Sequence, residues 1–231
     1  LQEAGSRFAS QSEPQQRIFL HRRTNSKSGH GSRRLTGAPN TTQGERQLAI
    51  VACTIAGCFF SYGFLLRVSP GVMVDDLMRE FGATALILGH LSAFYFYPYA
   101  LLQIPIGLWM DRTGPRATMT AACALVAAGC YVFASSESLY VAYAGRALIG
   151  IGCALTWPGF LMIVHQWFPS RFAFLAGLGQ VSAMLGGIVG QAPLAAAVGR
   201  FGWQSAMLAL AVIGVVLCIA LSVCVRNRDS F

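Results

Sequence analysis

Charge is scarce in this sequence. Of its 231 residues only 11% are Asp, Glu, Lys or Arg, where a soluble domain carries about a quarter. A chain this long could bury a sizeable core, but it has too little polar surface to face water on every side. Acid is the rarer sign, with 9 Asp and Glu against 17 Lys and Arg. That excess of base does not read as nucleic-acid binding. Eight of the 17 basic residues lie before residue 47 and the others are scattered singly, with no basic stripe interleaved with aromatics.

Other absences narrow the reading. The seven cysteines (Cys53, Cys58, Cys123, Cys130, Cys153, Cys218, Cys224) are odd in number, form no C-x-x-C pair and sit in apolar stretches. A disulfide framework or a metal site is not expected, and the thiols read as small packing groups. G-x-S-x-G, H-E-x-x-H and G-x-x-x-x-G-K-[ST] are all missing, as are paired carboxylates inside the apolar stretches. The chain is therefore not expected to be an enzyme or to hold a cofactor.

Hydrophobic residues make up 55% of the chain, and 25 glycines suit close helix packing in lipid. A membrane span needs about 20 mostly apolar residues. Six such runs follow one another, at roughly 48–74, 84–108, 117–135, 139–164, 172–198 and 203–225. Short breaks separate them, and these carry most of the remaining charge. The predicted fold class is an all-α membrane protein of six transmembrane helices. Residues 1–46 lack periodicity and are predicted to be a disordered basic tail, solvated or with its arginines against anionic lipid. Residues 47–225 form the membrane domain and 226–231 a short end. Near the spans, thirteen Lys and Arg fall on one side and two on the other. The positive-inside rule then places both termini in the cytoplasm, with a plasma or inner membrane as the expected location.

Proline recurs late in the first and fourth spans (Pro70, Pro158) and in the second and fifth (Pro105, Pro193). This suggests two inverted repeats of three helices, an arrangement in which broken helices border the substrate site.

After the second span runs Gly107-Leu108-Trp109-Met110-Asp111-Arg112-Thr113-Gly114-Pro115-Arg116. Gly107 would let a neighbouring helix approach, Gly114 would permit the turn, and Asp111 could cap a helix N-terminus. These residues resemble the cytoplasmic loop signature of the major facilitator superfamily at Gly107, Asp111, Arg112, Gly114 and Arg116, with Pro115 departing from the usual basic residue. The resemblance implies that this loop locks two six-helix halves together in one state and releases them in the other. A second similarity is Arg146-x-x-x-Gly150-x-Gly152 in the fourth span. An arginine inside a span costs roughly 2.5–3.5 kcal/mol on insertion scales, so Arg146 is either functional or snorkels to the interface. Arg146, Gly150, Cys153 and Trp157 fall on one helical face.

The stretch Tyr62–Pro70 resembles the first span of organic-anion members of the superfamily, whose arginine there binds the anion. Arg67 holds that position. A guanidinium offers carboxylate or phosphate a planar two-donor fork, and Gly63 and Gly71 flank it at i−4 and i+4. Snorkelling is the competing account, since Arg67 lies about 28 Å beyond Leu48 at 1.5 Å per residue. Tyr95 and Tyr99 share a face of the second span and could line a polar cavity, or could simply pack. His90, near the outer start of that span, reads as an ordinary polar residue. Trp167-Phe168-Pro169 with Arg171 resembles a loop of the same subgroup. The glycine-rich fifth span resembles the family's antiporter signature only loosely.

The resemblance implies a half of a twelve-helix secondary transporter. Its expected partners are a small organic solute (anionic by this reading), a coupling proton or sodium ion as in symport, the lipid bilayer, and a second six-helix half. Opening on Leu1 rather than Met, the chain reads as a fragment or truncated product. A non-transporting membrane scaffold and a self-pairing half are the alternatives. The expected substrate residues are Arg67, Tyr95, Tyr99 and Trp157.

Overall fold

The computed structural model describes residues 43–225; residues 1–42 of the proposed tail and the end 226–231 lie outside the described residues, while 43–46, expected to belong to the tail, are helical. Helix α1 spans Gln43–Val72 and starts a few residues before the expected boundary. The first break is not a loop. It holds a short helix, α2 (Val74–Phe81), with Asp75 and Asp76 at its positive end, an Asp76–Arg79 ion pair, and Gly82 closing it in the left-handed conformation. Its inward face sets Phe81 against Trp203, 5.9 Å between rings.

Helix α3, Ala85–Ala134, runs for 50 residues. At 1.5 Å per residue this is about 75 Å, more than twice the roughly 30 Å of a bilayer core. It is therefore two spans, Ala85–Gly107 and Arg112–Ala134. At the start of the second, Gly114, at φ 74° and ψ 165°, breaks the helical path. That φ suits a residue without Cβ, so the expected turn at Gly114 is present. The fourth span divides at Leu155 into α4 (Leu139–Ala154) and α5 (Thr156–Trp167). The fifth follows a 3₁₀ turn (Pro169–Arg171) and divides at Gly190 into α6 (Phe172–Val189) and α7 (Gln191–Phe201). The sixth is α8 (Trp203–Cys224). Pro158 and Pro193 each lie three residues past their break, where a missing N–H and a ring clash interrupt the helix. Pro70 lies inside the continuous α1 and Pro105 interrupts nothing, so the breaks in spans four and five have no counterparts in spans one and two, and the expected repeat of broken helices is not seen.

Contacts between spans fix their directions. Spans three and six run antiparallel. Arg116 bonds the Ser222 carbonyl, Cys218 that of Thr120 and Cys123 that of Gly214, while Phe133 meets Trp203. Spans one and five run parallel, with Ser61, Phe64 and Leu65 against Gly186, Gly187 and Gly190. The hydroxyl of Tyr62 crosses to the Leu210 carbonyl at 2.8 Å and ties span one to span six. Six alternating crossings result, with Gln43 and Cys224 at the same end of the bundle. In an apolar 18-residue stretch of spans three and four 56% of the residues are buried, but only 17% in spans two and five. The outward residues are apolar, as lipid as solvent requires.

Span four is the spine. A Cβ at Gly150 would lie 2.2 Å from the Tyr95 carbonyl oxygen, and one at Gly152 would lie 2.5 Å from that of Ala122. The two glycines let span four press against the backbones of spans two and three at once. A third contact joins it to span one. Pro70 has no N–H, so the Leu66 carbonyl lacks its i+4 helical donor. Arg146 Nη1 donates to that oxygen at 2.9 Å, and Ser69 Oγ donates at 2.9 Å. Arg146 is fully buried, which excludes snorkelling for it.

Two measurements check these contacts. Gly150→Val should abolish monodisperse protein in mild detergent, because a backbone carbonyl cannot yield as a flexible side chain can. In a thermal-unfolding cycle, Pro70→Ala should soften the loss caused by Arg146→Met, because alanine restores the helical donor. The expected coupling is about 0.5–1.5 kcal/mol, the scale of interhelical hydrogen bonds in membranes.

Candidate functional site

Arg67 lies one residue past the clamped carbonyl. Its guanidinium sits 5.1 Å from the Phe64 ring, 5.8 Å from Tyr95, 5.2 Å from Phe96 and 5.3 Å from Tyr99. Two elements supply this cage. Phe64 is one helical turn before Arg67 on α1. Tyr95, Phe96 and Tyr99 come from the second span, where Tyr95 and Tyr99 stack with ring centres 5.9 Å apart at 16°, as residues i and i+4 of a helix can. Phe96 meets the Tyr95 ring edge-on at 5.1 Å. The Arg67 side chain is half-buried, and its Nε is enclosed without a hydrogen-bond partner.

Arg146 lies on the same tyrosine, its guanidinium 5.2 Å from the Tyr95 ring. Its Nη1 is taken by Leu66, while Nε and Nη2 have no partner. Among the described residues no carboxylate pairs with either arginine. The chemistry of the arrangement follows from that absence. Ring quadrupoles stabilise a cation by about 0.5–2 kcal/mol each without cancelling its charge. A carboxylate would have neutralised it. The cage therefore offsets part of the cost of holding a guanidinium in a low dielectric and leaves a positive site that favours an anion.

The structure brings together Arg67, Tyr95 and Tyr99, with Arg146 and Gly150 behind them. Trp157 is not in the cage. It stacks on Phe60 at 4.9 Å and on Phe160 at 6.1 Å. It reaches Arg67 only through Phe60 and Phe64, whose rings lie 5.2 Å apart. Gly63 is not open space for a ligand, since its missing Cβ faces Cys153 Sγ at 3.4 Å, while beside Gly71 nothing lies within 4 Å. His90 is exposed and takes no part in the cage. The sequence did not single out Phe64 and Phe96 as cage walls. The available signal was their spacing, one turn before Arg67 and next to Tyr95, but phenylalanine in a span ordinarily reads as packing.

The residues Gly107, Asp111, Arg112, Gly114 and Arg116 lie at the junction of spans two and three, away from the cage. Within this chain no helix approaches Gly107, where an added Cβ meets nothing within 4 Å. Its span is turned outward at that point. The side chain of Asp111 lies outside the described residues, Arg112 is exposed, and Arg116 is tied by Nε to the end of span six. Thr118 donates to the Gly114 carbonyl at 2.8 Å and braces the turn.

Residues 53–230 match the Major Facilitator Superfamily. Among curated relatives, a probable chloroplastic anion transporter of Oryza sativa subsp. japonica is 30% identical over 164 residues, which are 68% of this chain and 27% of that protein. A probable galactarate/D-glucarate transporter of Bacillus subtilis is 24% identical over 69% of this chain and 36% of its own length. A putative tartrate transporter of Agrobacterium vitis is 25% identical over 71% and 40%. The chain thus spans only about a quarter to two-fifths of these relatives, all of which carry the names of transporters and not of enzymes. The family match takes in all six spans but for the opening turns of α1, and on that evidence the chain belongs to the Major Facilitator Superfamily.

Proposed function

We propose that this chain is one six-span half of a secondary active transporter that moves a small organic anion by alternating access, with Arg67 as the anion's anchor. The observation that carries this reading is the aromatic cage, which holds a guanidinium inside the bundle without a carboxylate. Arg67 presents a two-donor fork to a carboxylate. Tyr99, half-buried against it, supplies a ring and a hydroxyl. Tyr95 is buried and sets the distance between Arg67 and Arg146. The relatives' names support this substrate class, since tartrate and galactarate are small hydroxylated acids.

A second six-span half would complete the site and cover the outward faces of spans two and five. The relatives' greater length supports this. The basic bias near the spans puts both ends of the bundle in the cytoplasm, with the junction at Gly107–Arg116 on that side as the contact that locks and releases the halves. The expected membrane is the plasma or inner membrane. A coupling proton or sodium ion would bind elsewhere, because no described Asp or Glu lies in the middle of a span.

The test is uptake of labelled tartrate and galactarate into vesicles carrying the full-length transporter that includes both six-span halves. Arg67→Ala and Arg67→Lys should both lose uptake by at least about tenfold at unchanged protein level, because lysine keeps the charge but not the planar fork. Retained affinity in both variants removes Arg67 from the site. At Tyr99, Tyr99→Phe should change uptake by less than about threefold and Tyr99→Ala by tenfold or more, the scale of a lost cation–π contact. The reverse order would show that the hydroxyl matters and not the ring.

A further inference from the structure

A groove opens at the end of the bundle where α1 begins, well away from the cage. Its volume is about 430 Å³, within the roughly 300–1,000 Å³ of small-molecule sites. Arg46 of α1 and Arg171, which precedes α6, both line it. Below them the walls are Ile50, Cys53, Gly57, Leu175 and Leu178, with Ser61 and Ser182 deeper, their hydroxyl oxygens 3.5 Å apart. Helix α6 starts at Phe172, directly after the 3₁₀ turn that carries Arg171, so the positive end of its dipole lies at the same end of the bundle. Glu45 stands beside Arg46 in sequence but does not line the groove.

The inner end of the groove is the Phe160 ring. An added Cβ at Gly179 would lie 2.3 Å from it, so glycine at that position is what admits the ring. From Phe160 the aromatics continue to Phe60 at 6.3 Å, then to Phe64, then to Arg67. Arg46, Ile50, Cys53, Gly57 and Phe64 share one stripe of α1. A single helix face thus runs from the paired arginines at the mouth to the caged arginine.

We infer that Arg46 and Arg171 form a capture site for small organic anions, and that this groove is the passage between one membrane face and Arg67, closed at its inner end by Phe160, Phe60 and Trp157. The inference rests on the reading of Arg67 as the anion's anchor. Two cations of one sign at the mouth of a low-dielectric groove raise the local concentration of an anion and its rate of entry. The mostly apolar walls, with only a few neutral hydroxyls, hold it weakly, so it moves on.

Native Cys58, exposed and lining the groove, reports the potential there without any substrate. In the full chain with Cys53, Cys218 and Cys224 replaced by alanine, the rate of modification is measured with a sulfonate-bearing and a trimethylammonium-bearing methanethiosulfonate. The protein is held in phosphatidylcholine nanodiscs. The ratio of anionic to cationic rates should fall about fivefold or more in Arg46→Gln/Arg171→Gln at low salt, and the difference should shrink near 0.5 M salt. Arg171→Lys, which keeps the charge, should retain the ratio. An unchanged ratio in the double glutamine variant overturns the capture site. If phosphatidylglycerol lowers the wild-type ratio to that of the double variant, a lipid phosphate occupies the arginines and the anion passage is likewise overturned. Arg67→Ala should leave the Cys58 ratio intact, so failure of the anchor shows in uptake alone and failure of the capture site shows in the ratio alone.

Discussion

In a bilayer, a carbonyl that proline leaves without its helical donor has no water to turn to, and Pro70 creates such a carbonyl at Leu66. Much of this bundle can be understood from how that oxygen is satisfied. Ser69 reaches it from within α1 and Arg146 reaches it from span four. The second contact requires a guanidinium at the centre of the bundle and span four close against span one. It also fixes the backbone beside Arg67. The same arginine then needs a face to lie on, and Tyr95 of span two provides it. Spans one, two and four are thereby held at one point by one cation.

That arrangement explains why glycine follows Arg146 at i+4 and i+6. Arg146 covers the Tyr95 ring, and Gly150 one turn later lets the Tyr95 carbonyl approach to a distance that no other side chain would allow. Gly152 does the same for span three. The motif is a docking surface in which charge, ring and missing Cβ act together. Helices in lipid have little hydrophobic drive to associate, so close backbone approach and satisfied polar groups carry the packing.

Arg67 shows the complementary use of the same chemistry. Arg146 is spent on structure, with one donor committed to Leu66. Arg67 makes none of the described side-chain hydrogen bonds or ion pairs, and rings rather than acids surround it. A cation stabilised without being neutralised is what an anion-binding centre requires, and the scarcity of Asp and Glu through the spans keeps it so. The two arginines differ in burial and in partners although both lie in apolar runs with aromatic residues nearby.

The sequence by itself determined the number of spans, their approximate limits, the helical class, the family and the identity of the unusual residues. Apolar length, charge placement, glycine and proline are local properties, and a bilayer reads them locally. It could not separate a snorkelling Arg146 from a buried one, place Trp157 outside the cage, or show that Gly107 has no neighbour within this chain while Gly150 is pressed against a carbonyl. Nor did it reveal Phe64 and Phe96 as walls around Arg67. Those outcomes depend on which faces of different spans meet, and the meeting is set by pairs far apart in the chain: Leu66 with Arg146, Tyr95 with Gly150, and Tyr62 with Leu210. A helix carries its own hydrogen bonds along its length. The partner of a side chain that leaves the helix is decided only when the bundle closes.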